Sequence, residues 1–142
     1  MKKNNILILS AGRRVELVQD FQAEAAKFSD GTKILCTDLN PKMSSACQAA
    51  DGAFAVPRIS APDYIDSIFE LAQAQNIGLI IPTIDTELLK LADARARFAA
   101  AGIQIVVADS ALIRQCRDKR DTIALFERHG ITSPAIYTPY NI

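Results

Sequence analysis

The 142-residue chain carries sixteen basic and sixteen acidic residues, so its charge cancels and no overall field draws it toward nucleic acid; no basic stripe with interleaved aromatics is present either. Its longest early apolar run, residues 6–9, is too short to span a bilayer, and Met1-Lys2-Lys3 precedes no apolar stretch of signal-peptide length. With 49% hydrophobic and 23% charged residues, it reads as one soluble cytoplasmic domain, with neither nucleic acid nor a membrane as partner.

Ile6-Leu7-Ile8-Leu9 is a short aliphatic run closed by a turn, the pattern of a strand buried on both faces. Ser10, Ala11 and Gly12 make the turn, and Val15, Val18, Phe21, Ala25 and Phe28 then recur at helical spacing. A strand, a small-residue turn and a helix N-terminus open an α/β sheet, and the helix dipole marks where an anion would sit. Arg13 and Arg14 lie in the first turn, where the dipole prefers acids. Two guanidinium groups there suggest a phosphate or carboxylate partner, solvent exposure or pairing with a nearby acid being the alternative.

Ser29-Asp30-Gly31 stops the helix, and residues 33–38 form a second strand ending on Asp38. That acid falls roughly 25 residues after Gly12, about where dinucleotide folds hold a ribose hydroxyl. Asn40 and Pro41 end the strand, a short Ala-rich helix covers 43–50, and 53–57 is a third strand. Ser60-Ala61-Pro62-Asp63 predicts a helix capped by Ser60, with Ile65, Ile68, Phe69 and Ala72 inward. Residues 77–81 form the fourth strand, closed by Pro82. A polar loop over 83–87 leads into a helix with Leu88, Leu91, Ala92, Arg95 and Phe98 on one side. Gly102 ends that helix, and 103–107 is the fifth strand. Asp109 caps a short helix carrying Leu112, Ile113 and Cys116. A last helix runs from Asp118 to His129, Gly130 terminates it, and 131–134 and 137–139 read as extended.

Strands alternating with helices at these loop lengths predict an α/β, doubly wound, Rossmann-like fold: five parallel strands in the order 3-2-1-4-5, with helices on both faces. Ligands bind outside the carboxyl ends of such strands, at the switch point. Ser10, Gly12, Arg13 and Arg14 converge there with Asp38 and Asn40 and with Thr83, Asp85 and Glu87. Local roles compete: an Asx turn for Asp38 and Asn40, and helix capping for Thr83, Asp85 and Glu87. Neither GxGxxG nor a P-loop occurs. Cys36, Cys47 and Cys116 are widely spaced without CxxC, and His129 is a single histidine, so neither a disulfide framework nor a zinc site is indicated.

Four stretches taken in order resemble ATP-grasp ligases, with the carbamoyl-phosphate-synthase-large-chain-like group the nearest match. They are residues 8–14 (Ile-Leu-Ser-Ala-Gly-Arg-Arg), 37–41 (Thr-Asp-Leu-Asn-Pro), 81–88 (Ile-Pro-Thr-Ile-Asp-Thr-Glu-Leu) and 116–119 (Cys-Arg-Asp-Lys). The resemblance spans essentially the whole chain. It implies a pre-ATP-grasp domain over 1–117, then over 118–142 a hinge helix and the start of a linker to an ATP-grasp domain that would follow or be a separate chain. It further implies a small carboxylate or amino-acid substrate activated by ATP and Mg2+ as an acyl phosphate and captured by an amine. Lys119 would contact ATP phosphate, the metal site would lie outside these residues, and the chain alone would be inactive. A homodimer is compatible with all of this. The alternatives are a Rossmann-type nucleotide or dinucleotide module of an oxidoreductase and a non-catalytic dimerisation module.

Overall fold

The computed structural model describes residues 4–28, 31–135 and 137. Two compact units divide the chain, Met1–Val107 and Ala108–Ile142. Ser29 and Asp30 of the expected helix stop lie outside the described residues, as do Thr138 and Pro139 of the expected extended tail.

The first unit is a five-stranded sheet in the order β3-β2-β1-β4-β5. Its strands are β1 (Asn5–Ile8), β2 (Ile34–Asp38), β3 (Gly52–Ala55), β4 (Ile77–Ile81) and β5 (Gln104–Ile105). All neighbouring pairs are parallel, as expected from the alternation of strands and helices. β1 sits at the centre, with Leu7 opposite both Leu35 and Ile80. Its side chains alternate between two cores, which is why the run had to be continuously apolar. Leu7 and Leu9 enter one core with Leu35, Ile68, Ile80, Leu91 and Phe98, under α3 (Tyr64–Ala74) and α4 (Asp85–Ala100). Ile8 enters the other with Ile34, Cys36 and Val18, under α1 (Val15–Ala25) and α2 (Ser45–Ala49). On the first face Phe69 meets Phe98 edge-on at 5.1 Å, and the Arg97 guanidinium lies 4.3 Å over the Phe69 ring while pairing with Asp66.

Several boundaries differ from expectation, each for a local reason. α1 tightens into a 3-10 turn at Ala26–Phe28, so Phe28 leaves the inner face and is 73% exposed. α3 begins at Tyr64 rather than after Ser60, because the Arg58 carbonyl accepts from Ala61 N–H and the Ala61 carbonyl from Tyr64 N–H, winding 58–64 into successive turns. β5 keeps only two ladder residues, and Val106 beyond it is exposed. Gly102, at φ +72°, ends α4 as expected: its N–H bonds to Ala99 O and that of Ile103 to Phe98 O, the paired bonds of a Schellman stop.

The second unit contains α5 (Ser110–Arg117) and α6 (Lys119–Arg128), packed on each other. Asp109 caps α5 by accepting from Leu112 N–H at 2.9 Å, and Asp118 caps α6 by accepting from Arg120 N–H at 2.9 Å. No helix among the described residues is long and apolar enough to cross a membrane.

Candidate functional site at the switch point

Because β2 lies on one side of β1 and β4 on the other, the loops leaving their carboxyl ends diverge and leave a crevice. The turn after β1 is strained: Ser10 has φ +50° and Gly12 φ +55°. A non-glycine residue in that region persists only where its surroundings hold it. Here they do. Ser10 N–H points to Thr37 Oγ1 at 3.4 Å, Ala11 N–H to Thr37 O at 3.0 Å and Gly12 N–H to Asp38 Oδ2 at 3.3 Å. The other Asp38 oxygen accepts from Asn40 N–H at 3.0 Å, closing the Asx turn that the sequence allowed. The turn amides of Ser10, Ala11 and Gly12 are therefore all engaged within the protein.

On the β4 side the organising group is Glu87, fully buried in the first turn of α4. Its Oε1 accepts from the N–H groups of Thr83 (2.9 Å) and Ile84 (3.3 Å), so it back-bonds to the residue that caps its own helix. Its Oε2 accepts from Ser10 Oγ at 3.0 Å and Tyr64 Oη at 2.8 Å. Four donors on two oxygens complement an ionised carboxylate and satisfy it without solvent. Burial, and then the neighbouring Glu87 carboxylate, push the Tyr64 phenol well above its ordinary pKa.

Arg14 and Thr83 tie the two loops together. The Arg14 guanidinium donates to Thr83 O at 2.9 Å and to Ser10 O at 3.4 Å. Thr83 Oγ1 lies 2.8 Å from Leu9 O and 2.9 Å from Ser10 O, sharing its proton between them. Thr83 is thus a cross-strand tie rather than a side-chain cap, and α4 has no side-chain cap bond at Ile84.

The crevice itself is a cleft of about 390 Å3, lined on its polar side by Ser10, Gly12, Arg14, Asp38, Arg58 and Tyr64. Leu39, Val56, Pro57, Ile59 and Ile84 give it an apolar wall. Of the residues expected from the sequence, Ser10, Gly12, Arg14 and Asp38 meet in this lining, while Thr83 and Glu87 brace it from behind. Arg13, Asn40 and Asp85 are exposed and outside the lining. Lys119 is the exposed first residue of α6, in the second unit. Tyr64 and Arg58 were not anticipated. Tyr64 stands four and eight residues before the inward Ile68 and Ala72, a spacing that would have found it. Arg58 follows β3, whose carboxyl end the switch-point rule also covers.

A larger cavity of about 700 Å3 runs along β5, where Arg95 is the one charged lining residue. Among the described residues, no three His, Cys, Asp or Glu side chains cluster so as to hold a metal ion.

The sequence profile described as "PylC-like, N-terminal domain" matches residues 6–106. No curated protein sequence matches the chain. Among solved structures, the biotin carboxylase domain of a single-chain bacterial carboxylase is 24% identical at a TM-score of 0.58, over 89% of this chain and 29% of that one. The L-amino acid ligase from Bacillus licheniformis is 14% identical at a TM-score of 0.63, over 95% and 32%. The multifunctional pyruvate carboxylase from Rhizobium etli is 17% identical at a TM-score of 0.60, over 93% and 13%. Likeness at these identities is likeness of fold, and the chain spans a third or less of the length of each of these three proteins.

Proposed function

The chain belongs to the family of PylC-like N-terminal domains, and from that premise we propose that it is the substrate-side domain of an ATP-dependent carboxylate–amine ligase of the ATP-grasp type. The observation that carries this reading is the switch-point cleft, built by one interlocked network in a domain of that family. The four sequence motifs that resemble the carbamoyl-phosphate-synthase large chain extend the reading to that branch. The printed descriptions of the structural neighbours, a biotin carboxylase domain and an L-amino acid ligase, are in keeping with it.

In this role the chain binds and orients a small co-substrate. ATP with Mg2+, held by an ATP-grasp domain in the same polypeptide or a partner chain, would supply the activation of a carboxylate. Among the described residues of the first unit, no cluster of three metal-ligating side chains is offered to that chemistry. What they offer is a shaped wall: Ser10 and Asp38 fixed by backbone bonds, Arg14 holding the two loops in register, and Arg58 at the rim. Lys119 is assigned to ATP phosphate on the resemblance of Asp118-Lys119 to the family's Asp-Lys helix start.

The test is ADP release. Joined to its ATP-grasp domain, in cis or in trans, the chain is expected to support ATP hydrolysis that depends on both a carboxylate and an amine, and to show none alone. Strong thermal stabilisation of the chain by NAD or NADP would overturn the reading, since saturation at 100 times Kd adds about 2.7 kcal/mol.

A further inference from the structure

One wall of the cleft is a run of turns. Residues 56–64 lead from the carboxyl end of β3 to the start of α3 and contribute Val56, Pro57, Arg58, Ile59 and Tyr64 to the lining. The ends of this stretch are fixed: Val56 N–H donates to Asp38 O at 3.2 Å, and Tyr64 Oη to Glu87 at 2.8 Å. Inside it the turn bonds are local, with Ala61 N–H on Arg58 O at 2.8 Å and Tyr64 N–H on Ala61 O at 3.3 Å. A turn that orders several residues for one hydrogen bond is weak by itself. Val56 and Ile59 pack partly on the core, but apolar contact has no direction and does not fix where the backbone points.

The tie to the middle of this wall comes from α4. Lys90 lies three residues after Glu87, the spacing that sets two side chains on one helix face. Its half-buried side chain reaches across to the turns, where Nζ donates to Ile59 O and, at 3.4 Å, to Ala61 O. The three protons of an ammonium suit two carbonyls at once, and its charge makes these bonds stronger than the amide bonds of the turns. Ala61 O serves both Tyr64 N–H and Lys90, so the ammonium clamps the turn that opens at Arg58. Glu87 and Lys90 thus divide the task. Glu87 holds the Ser10 turn and the far end of the wall, and Lys90 holds its middle.

We propose that Lys90 is a positioning residue of the cleft: by clamping the 58–61 turn it sets where Arg58 and Ile59 stand. Lys90 is outside the lining, so it acts through these two residues rather than on anything the cleft holds. The assignment rests on the ligase reading for its bearing on catalysis but not for its structural test.

That test is amide hydrogen exchange on the 15N-labelled 142-residue chain. Lys90→Met keeps an unbranched apolar stem and removes the ammonium. Exchange at Ala61 and Tyr64 is expected to quicken about tenfold, the loss of a bond to a charged group. Ile6 and Leu9, in the centre of the sheet, are expected to keep their rates, whereas a general loss of stability would quicken them too. Lys90→Arg, which retains donors and charge, is expected to preserve the protection. Unchanged exchange at Ala61 and Tyr64, equal quickening at Ile6 and Leu9, or failure of arginine to rescue overturns the proposal. In the chain joined to its ATP-grasp domain, Lys90→Met is expected to raise the KM of a carboxylate or amine co-substrate about tenfold, with kcat and the KM of ATP little changed. An unchanged co-substrate KM overturns the role in the cleft. Absence of ADP release from the wild-type protein is instead a failure of the ligase reading, and the exchange rates then decide the Lys90 proposal by themselves.

Discussion

Tyr64 donates its phenolic proton to Glu87 across 2.8 Å, and the two residues are 1% and 0% exposed. The bond joins the first turn of α3 to the first turn of α4, and through Ser10 it reaches the end of β1. A buried carboxylate is tolerable only while its donors are in place.

Tyr64→Phe removes one of four donors and keeps the ring. Urea unfolding is expected to show a loss of about 1.5–3 kcal/mol, the range for a hydrogen bond to a charged group. Glu87→Leu, which leaves Tyr64, Ser10 and two backbone amides without their acceptor, is expected to cost more than Tyr64→Phe.

Gly12→Ala isolates conformational strain from packing. A Cβ at Gly12 would stand 3.6 Å from Arg14 Nη1 and 3.7 Å from Ser10 O, ordinary contact, so only the φ of +55° opposes it. A loss of about 1 kcal/mol is expected in the same assay. A cost several times larger would show that the turn tolerates no Cβ for another reason.

The three thiols should separate cleanly. Cys36 and Cys47 are buried and Cys116 is exposed. Burial, with Cys47 and Asp51 nearby, pushes the Cys36 thiol up to about 12, and burial also raises Cys47. With a thiol reagent at pH 8, one fast-reacting cysteine is expected, removed by Cys116→Ser. The folded pKa of Cys36 lies above its ordinary value of 9.0, so its contribution to stability is intact below pH 9 and is lost as pH rises toward 12.

At the start of α6, Arg120 hydrogen-bonds Asp118 through side chain and backbone and holds its carboxyl down at about 2. A depressed acid contributes stability above its ordinary value of 3.8 and loses it as pH falls toward 2. An NMR titration should find the Asp118 midpoint near 2, and Arg120→Ala should return it toward 3.8.

The amino-acid order alone determined the sheet order, the two-faced burial of the central strand, the Asp109 and Gly102 helix signals and the segments that meet at the crevice. These follow from short-range patterns: the alternation of strand and helix, periods of 2 and 3.6, and turn residues. The structure alone decided which polar groups line the crevice. Ser60 looked like a cap by its neighbours, yet the hydrogen-bonded turns over 58–64 moved the helix start to Tyr64 and delivered its hydroxyl to Glu87. In the sequence Glu87 reads as a crevice-facing or helix-capping acid, and only the folded chain brings Ser10, 77 residues away, onto its carboxylate. Where a proton goes depends on partners distant in sequence, and a pattern that spans one turn or one strand carries no record of them.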